Sequence, residues 1–166
     1  MSEDDATGVD NDTTTDGLKY DVDFRQHPEN YEIGSGEQGV FKIQPYKDEL
    51  LPLWTISDLE DAEESAAAIY GRFESYRRSD DPVGMDMARK YLQMGWTRSL
   101  RYAKYPGGRK YEEDGTERDP QQWYDPQKYE ISQVFKEYLD RVREDEAYQA
   151  ARKTLQSNTA TDESRQ

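Results

Sequence analysis

A shortage of large aliphatic side chains constrains this chain more than any other feature of its sequence. Leu, Ile, Val and Phe together make up 24 of the 166 residues, and the formal net charge is −14. A highly charged chain with fewer than roughly 20% of these residues is typically disordered. The sequence also contains 13 Tyr, 3 Trp and 4 Met, however, and each aromatic ring buries a large area. We therefore expect one modest core, built substantially from aromatic side chains, in a single domain.

Both ends of the chain lack the apolar residues that a core needs. Residues 1–19 contain six carboxylates among Ser, Thr, Gly and Asn, which predicts a disordered acidic arm. Residues 156–166 have a similar composition and predict a disordered tail. The single globular domain is expected to span residues 24–155, which is long enough to bury one core.

Several classes of protein are excluded by what the sequence lacks. There is no Cys, which excludes a disulfide framework, thiol catalysis and Cys-ligated zinc. No apolar run approaches the roughly 18 residues of a membrane span, and the acidic N-terminus does not resemble a secretory signal. We therefore expect a soluble, cytoplasmic protein with no membrane partner.

The acidic residues have a characteristic distribution. Asp and Glu are spread along the whole chain, and Arg outnumbers Lys by 13 to 9. An acidic surface over few large aliphatics resembles that of proteins from organisms with a salt-filled cytoplasm, because such a surface stays soluble where charges are strongly screened. The alternative is a mesophilic acidic protein that repels nucleic acid. We favour the halophilic interpretation.

Three stretches with apolar residues spaced three and four positions apart predict long amphipathic helices. The first follows a capping box that begins at Ser57, and it ends before Asp80–Asp81. The second is expected from about Val83 to Lys104. The third begins at Asp125–Pro126, where an N-cap residue precedes a proline at the first helical position. Residues 147–155 either continue this helix or form a separate terminal one.

Small residues lie at the centre of the apolar face of the second predicted helix. They are Gly95, Ser99 and Ala103, which gather on one side at 100° per residue. Because small side chains leave room for a neighbouring backbone, we expect another helix to approach this one closely.

The segment around Gly34–Gly39 predicts the β-structure of the fold. Tyr31–Ile33 and Val40–Ile43 are short apolar stretches on either side of it, an arrangement typical of two strands joined by a tight turn. The expected fold class is therefore α+β and mainly helical. Three long amphipathic helices should pack together with one small Gly-turn β-hairpin, flanked by disordered acidic tails. A second small hairpin is possible between Lys110 and Arg118, around Asp114–Gly115.

Gly34–Gly39 also matches the pattern G-x-G-x-x-G of phosphate-binding loops. A dinucleotide-binding loop requires a helix directly after it, whereas Val40–Ile43 is predicted to be a strand. A kinase phosphate loop would be accompanied by His-Arg-Asp and Asp-Phe-Gly motifs, which the sequence does not contain. Glu37 within the loop would in addition repel phosphate. A tight turn is therefore favoured over a phosphate site.

The distribution of charge along the chain is the strongest functional signal. Between Pro82 and Tyr111 the single acid is Asp86, against seven bases, so this segment carries +6 and the rest of the chain −20. Tyr and Trp are interleaved with these bases, and Arg beside aromatic rings suits phosphate contact and base stacking. We predict an anionic partner, either nucleic acid or a phosphorylated small molecule. The predicted anion-binding residues are Arg89, Lys90, Arg98, Arg101, Lys104, Arg109 and Lys110.

Two other interpretations of this basic segment stay open. The acids at Asp58–Glu64 and Glu144–Glu146 offer internal salt bridges, which would give the helix a purely structural role. The other alternative is a small enzyme that acts on a phosphorylated substrate, with Asp86 or His27 as the acid or base. Phosphate contacts also weaken steeply as salt rises, so a salt-rich cell disfavours a simple electrostatic binder. We favour a non-catalytic binding or interaction module.

No metal or cofactor site is predicted. His27 is the only histidine in the sequence, and one histidine cannot form a His-based metal cluster. Asp80, Asp81 and Asp86 offer oxygen ligands, but their spacing fits no calcium loop. Helix capping explains Asp81 and the proline after it.

Four segments carry a resemblance to a known family. Glu32–Val40, Pro45–Lys47, Gly84–Arg98 and Arg101–Ala103 resemble an uncharacterised family of small bacterial, archaeal and phage proteins, the domain-of-unknown-function family 4385. The likeness covers about residues 27–111, and its specific part is the run that begins at Gly84. Together with the composition it suggests a halophilic archaeal member. The resemblance implies no activity, cofactor or catalytic residue.

Overall fold

The computed structural model describes residues 19–119 and 124–164, and their side chains as far as residue 158. Short 3-10 turns lie at Pro28–Asn30, Leu51–Leu53 and Pro106–Gly108. The named α-helices are α1 (Tyr46–Leu50), α2 (Leu59–Arg78), α3 (Pro82–Lys104), α4 (Pro126–Glu144) and α5 (Glu146–Ser164).

Aspartate side chains cap the three long helices that the sequence predicts. Asp58, Asp81 and Asp125 each accept a hydrogen bond from the backbone N–H three residues later, which satisfies a donor that the helix leaves unpaired. All three helices are therefore confirmed. The cap of α2 is Asp58 rather than Ser57, so this helix begins one residue later than the capping box indicates.

α3 lies at the centre of the fold and packs against α2, α4 and α5. Every residue from Val83 to Gly95 is buried, so this half of the helix has no side that faces solvent. A Cβ atom at Gly95 would lie 2.2 Å from the ring of Phe135 on α4. The expected close approach of another helix is thus confirmed at Gly95.

The predicted β-hairpin is wrong, and so is the α+β class. Within the described residues there is no strand, only isolated bridges that pair Asp23 with Gln44 and Tyr111 with Glu117. Residues 34–40, here called the Gly loop, offer their carbonyl oxygens to side chains on α3 instead of to a second strand. The suggested hairpin between Lys110 and Arg118 is a turn with a single bridge.

The two ends of the chain that are predicted to be disordered are only partly described by the structure. Residues 1–18 of the expected acidic arm lie outside the described residues. A disordered tail is expected from Gln156, whereas α5 continues as far as Ser164 and forms a helix separate from α4. None of the described helices is both long enough and apolar enough to cross a membrane.

Candidate anion-binding surface

The N-terminal half of α3 contains a completely buried ion pair. Arg89 donates to Asp86 Oδ1 through Nε at 3.1 Å and through Nη2 at 2.9 Å. The hydroxyl of Tyr148 donates to the same oxygen at 2.6 Å, and that of Tyr31 donates to Oδ2 at 2.5 Å. Asp86 is 0% exposed and Arg89 2%. A charge so far from water is tolerated only when it is paired and hydrogen-bonded, and all these donors together meet that need.

The Gly loop is held by the same arginine. Arg89 donates through Nη2 to the carbonyl oxygen of Gly34 at 2.9 Å and through Nη1 to that of Gly36 at 2.8 Å. Gln93, one turn further along α3, donates to the carbonyl oxygen of Ser35 at 3.0 Å. These bonds satisfy three consecutive backbone acceptors, so this part of the loop is fixed to the helix.

Lys90 holds the other end of the Gly loop. Its Nζ donates to the carbonyl oxygen of Gln38 at 2.7 Å and lies 4.8 Å from the centre of the Tyr31 ring. Burial lowers the pKa of Lys90 to about 8, against the opposing attraction of Asp86. Burial likewise raises the pKa of Tyr31 well above its ordinary value, and the nearby Asp86 raises it further.

Two of the seven predicted anion-binding residues are therefore inaccessible to a partner. Arg89 and Lys90 are each 2% exposed and spend their donors inside the protein. Helical periodicity puts them on the polar side of α3, but it does not reveal that the Gly loop covers that side. Of these two residues, only Arg89 forms an ion pair with a carboxylate. Both therefore have the structural role considered in the sequence analysis, but they fulfil it mainly by donating hydrogen bonds to backbone carbonyl oxygens.

The other five predicted residues lie further along the chain and form what we call the basic end of α3. Arg101 donates to the carbonyl oxygen of Gly108 at 2.6 Å, and the Arg98 guanidinium lies 5.5 Å from the centre of the Phe41 ring. Within residues 19–119 and 124–158, whose side chains the structure describes, none of the five forms an ion pair with a carboxylate. The basic end consists of Arg98, Arg101, Lys104, Arg109 and Lys110.

Exposed aromatic rings accompany the basic end. Tyr102 is 41% exposed and Tyr111 53% exposed, and the Nζ of Lys128 lies 5.7 Å from the centre of the Tyr102 ring. On its far side the surface meets acids, where Glu112 pairs with Arg118 at 3.1 Å. Arg98 lines one shallow cavity with Phe41 and Lys42, whereas Arg109 and Tyr111 line a separate one together with three acids, Glu112, Glu113 and Asp114.

The two residues considered as an acid or base are separate from each other. Asp86 is buried among donors, whereas His27 is exposed and its Nδ1 lies 3.3 Å from Glu29 Oε2. In the part of the chain that the structure describes, no three His, Asp or Glu side chains gather closely enough to hold a metal ion.

A second charged network, which the sequence does not reveal, joins α1, α2 and the start of α3. Arg25 donates to both carboxylate oxygens of Glu49, at 2.8 and 3.1 Å, and to Asp81 at 3.0 Å. Arg72 and the hydroxyl of Tyr76 each donate to Glu49 at 2.7 Å. Burial alone would raise the pKa of Glu49, but the hydrogen bonds from Arg25 and Tyr76 hold it at about 2. The residues come from four separate segments, so no local pattern points to them.

Comparison with known proteins agrees with the resemblance in the sequence. The family model described as "Domain of unknown function (DUF4385)" matches residues 14–158. No curated protein and no solved structure matches the chain significantly. The match covers most of the chain and includes all of α1–α4 together with the Gly loop. The chain therefore belongs to the DUF4385 family of proteins of unknown function.

Proposed function

We propose that this protein is a non-catalytic binding module that contacts an anionic partner through the basic end of α3. The observation that carries the proposal is the lack of any described carboxylate partner for its five cations, in a chain with a net charge of −14. Internal pairing would be expected to neutralise such cations first. Those that are left unpaired are available to a ligand.

The side chains at this surface favour phosphate groups and bases. Arginine offers paired N–H donors that match phosphate oxygens, and it also stacks on planar rings. Tyr102 and Tyr111 provide exposed rings on which unpaired bases can stack. Single-stranded nucleic acid combines both features, and a phosphorylated small molecule shares the first. We therefore take single-stranded RNA as the first partner to test.

Catalysis is not part of the proposal. Asp86 accepts hydrogen bonds from Arg89, Tyr31 and Tyr148 and is completely buried, which leaves it no access to a substrate proton. These bonds support a structural role for the N-terminal half of α3. Only the basic end of the helix is left for binding.

The experiment is a titration with single-stranded RNA across a series of salt concentrations. We expect the logarithm of the binding constant to fall linearly with the logarithm of salt, as counterions are released. The double variant Arg101→Glu/Lys104→Glu should bind at least about tenfold more weakly, a loss of roughly 1.4 kcal/mol. The control Arg141→Glu/Lys153→Glu makes the same change in charge at two exposed positions elsewhere and should bind like the wild type. Equal binding by both double variants would contradict the proposal.

We also propose that the protein works in a cytoplasm of high ionic strength. The supporting observation is the excess of 36 acids over 22 bases in a chain with few large aliphatics. Screening of the repulsion between these acids should stabilise the fold as salt rises. Thermal unfolding should therefore show a melting temperature that increases from low to molar potassium chloride. A melting temperature that is independent of salt would argue for an ordinary mesophilic setting.

A further inference from the structure

We infer that the shallow cavity beside Phe41, here called the Phe41 cavity, holds one base of a bound RNA strand and prefers guanine. This inference rests on the proposed function, because it names the part of the nucleic acid that the protein distinguishes. The cavity has a volume of about 270 Å³, which is below the range for drug-sized ligands and suits one ring system of a larger molecule. Its walls come from Tyr20, from the segment between Glu37 and Lys42, and from Met94 and Arg98 on α3.

The Phe41 cavity offers an apolar surface to a flat ring. Val40 and Met94 line it with side chains that are otherwise buried in the core. Phe41 is 42% exposed, although a large apolar ring gains stability from burial, and the half-buried ring of Tyr20 lines the cavity as well. Aromatic side chains of this kind are the surfaces on which unpaired bases stack.

Two cations lie beside these rings. The Arg98 guanidinium lies 5.5 Å from the centre of the Phe41 ring, and the Nζ of Lys42 lies 5.2 Å from the centre of the Tyr20 ring. Both side chains are exposed, and neither forms an ion pair with a carboxylate among the side chains that the structure describes. A phosphate attached to the stacked base would provide their counter-ion. Arg101 follows Arg98 by three residues and is its neighbour on the helix surface, so the next phosphate of the strand meets the basic end.

The wall of the Phe41 cavity also contains a carboxylate, which determines the preferred base. Glu37 is half-buried, forms no ion pair with a described residue, and accepts a hydrogen bond from the hydroxyl of Thr97 at 3.2 Å. A carboxylate has about four acceptor positions, so this single donor leaves most of them unused. Glu37 repels phosphate and attracts N–H groups. The base edge should therefore face Glu37, while the phosphate lies at the two cations.

The four bases differ in what they offer to a carboxylate. Guanine presents the N1–H and the N2 amino group side by side, which matches the two oxygens of Glu37. Adenine and cytosine present one amino group beside an acceptor nitrogen. Uracil presents one N–H between two carbonyl oxygens, which the carboxylate repels. Guanine is thus the base whose donors the cavity satisfies best.

The test compares binding of a short oligouridine strand that contains one central guanosine with binding of the same strand made of uridine alone. The full chain should bind the guanosine-containing strand about tenfold more tightly, within the range for one bidentate base contact. Inosine lacks the N2 amino group of guanosine. Placing inosine at the central position should weaken binding by about threefold or more.

Two variants assign this preference to the Phe41 cavity. Glu37→Gln replaces one acceptor oxygen by an amide and should bind both strands equally well. The control Glu144→Gln removes an exposed carboxylate at the end of α4 and should keep the preference of the wild type. Phe41→Leu removes the ring and should weaken binding of the guanosine-containing strand by about fivefold or more. Circular dichroism of both cavity variants checks that a loss of binding is not a loss of fold.

Three outcomes would overturn the inference. Equal binding of the two strands by the wild type, with a loss in Arg101→Glu/Lys104→Glu, would overturn it and leave the proposed function standing. Failure of both strands to bind would overturn the inference and the proposed function together. Tryptophan also combines a ring, an anion and N–H donors. Tighter binding of free tryptophan than of guanosine 5′-monophosphate would show that the cavity takes an amino acid and not a base.

Discussion

The two halves of α3 contain the same types of charged residue but use them in opposite ways. In the N-terminal half, Arg89 and Lys90 are buried and bind the backbone of the Gly loop. In the C-terminal half, Arg101 is exposed and makes one hydrogen bond to a nearby carbonyl oxygen. The contrast shows that a basic residue on a helix is structural where another part of the chain covers it, and is available to a partner where it is exposed. In the covered half Asp86 is the only carboxylate that accepts from these two bases among the described residues, and their other acceptors include backbone carbonyl oxygens, which the positions of acids in the sequence do not reveal.

The largest expected effect comes from breaking the buried ion pair. Arg89→Met removes the donors to the Gly loop and leaves the buried Asp86 with no cation nearer than Arg152, whose Nη1 lies 3.8 Å from Oδ1. We expect it to reduce the free energy of unfolding by about 3–5 kcal/mol. Urea denaturation measures this loss. Arg109→Met at the exposed end is the control and should change stability by no more than about 0.5 kcal/mol. Similar losses in both variants would remove the distinction between the two halves.

A smaller loss is expected where the two halves of the helix meet. Gly95→Ala places a methyl group against the Phe135 ring, where a Cβ would lie 2.2 Å away. Overpacking of this kind should cost about 1–3 kcal/mol in the free energy of unfolding. Gly71→Ala on α2 meets no atom within 4 Å and should instead stabilise the helix by about 0.5–1 kcal/mol. A stabilising Gly95→Ala would show that α3 and α4 are not closely packed.

The free energy of unfolding should also depend on pH, because Lys90 lies in the buried half of α3. Burial holds the pKa of Lys90 at about 8, below the value of about 10.4 for an exposed lysine. The unfolded chain therefore binds more protons between these values, and stability should rise by about 2 kcal/mol from pH 8 to pH 10. Above pH 10 the trend reverses, because Tyr31 with its raised pKa stays protonated while an unfolded tyrosine ionises.

Urea denaturation at several pH values checks this dependence. Lys90→Met should abolish the rise between pH 8 and pH 10. Lys104→Met, in the accessible half, should leave it unchanged. A rise that persists in Lys90→Met would have to come from another group.

The smallest effect on stability is expected at the accessible half. Arg101→Met should change the free energy of unfolding by no more than about 0.5 kcal/mol. If Arg101 contacts a phosphate, the same variant should reduce the slope of log binding constant against log salt by roughly 0.7 for single-stranded RNA. The RNA titration described above measures that slope. An unchanged slope would show that Arg101 does not contact a phosphate and is structural, like Arg89.

Most of the helical framework could be predicted from the sequence, because its signals are local. Asp81–Pro82 and Asp125–Pro126 marked two helix starts, and both helices begin there. The hairpin prediction at residues 31–43 failed for a non-local reason. Short extended segments around glycines are compatible with a strand pair, but here side chains 50 or more positions away along the chain take the carbonyl oxygens.

The candidate sites were predictable only in part. The excess of bases between residues 82 and 111 pointed to α3, yet it could not separate Arg89 from Arg101, because periodicity does not say which element covers a polar face. The charged network around Glu49 gave no signal in the sequence. Its residues come from four separate segments, so no local pattern joins them.

The way in which α3 holds the Gly loop has a consequence for how this family can vary. Arg89, Lys90 and Gln93 donate hydrogen bonds to carbonyl oxygens, which every amino acid possesses. These hydrogen bonds therefore do not depend on the loop's own side chains. Exposed positions such as Ser35 are therefore free to change without loosening the loop. Gly39 is an exception, because its φ of 78° favours glycine. The residues on the outer face of the loop can thus change while its anchor on the helix stays the same.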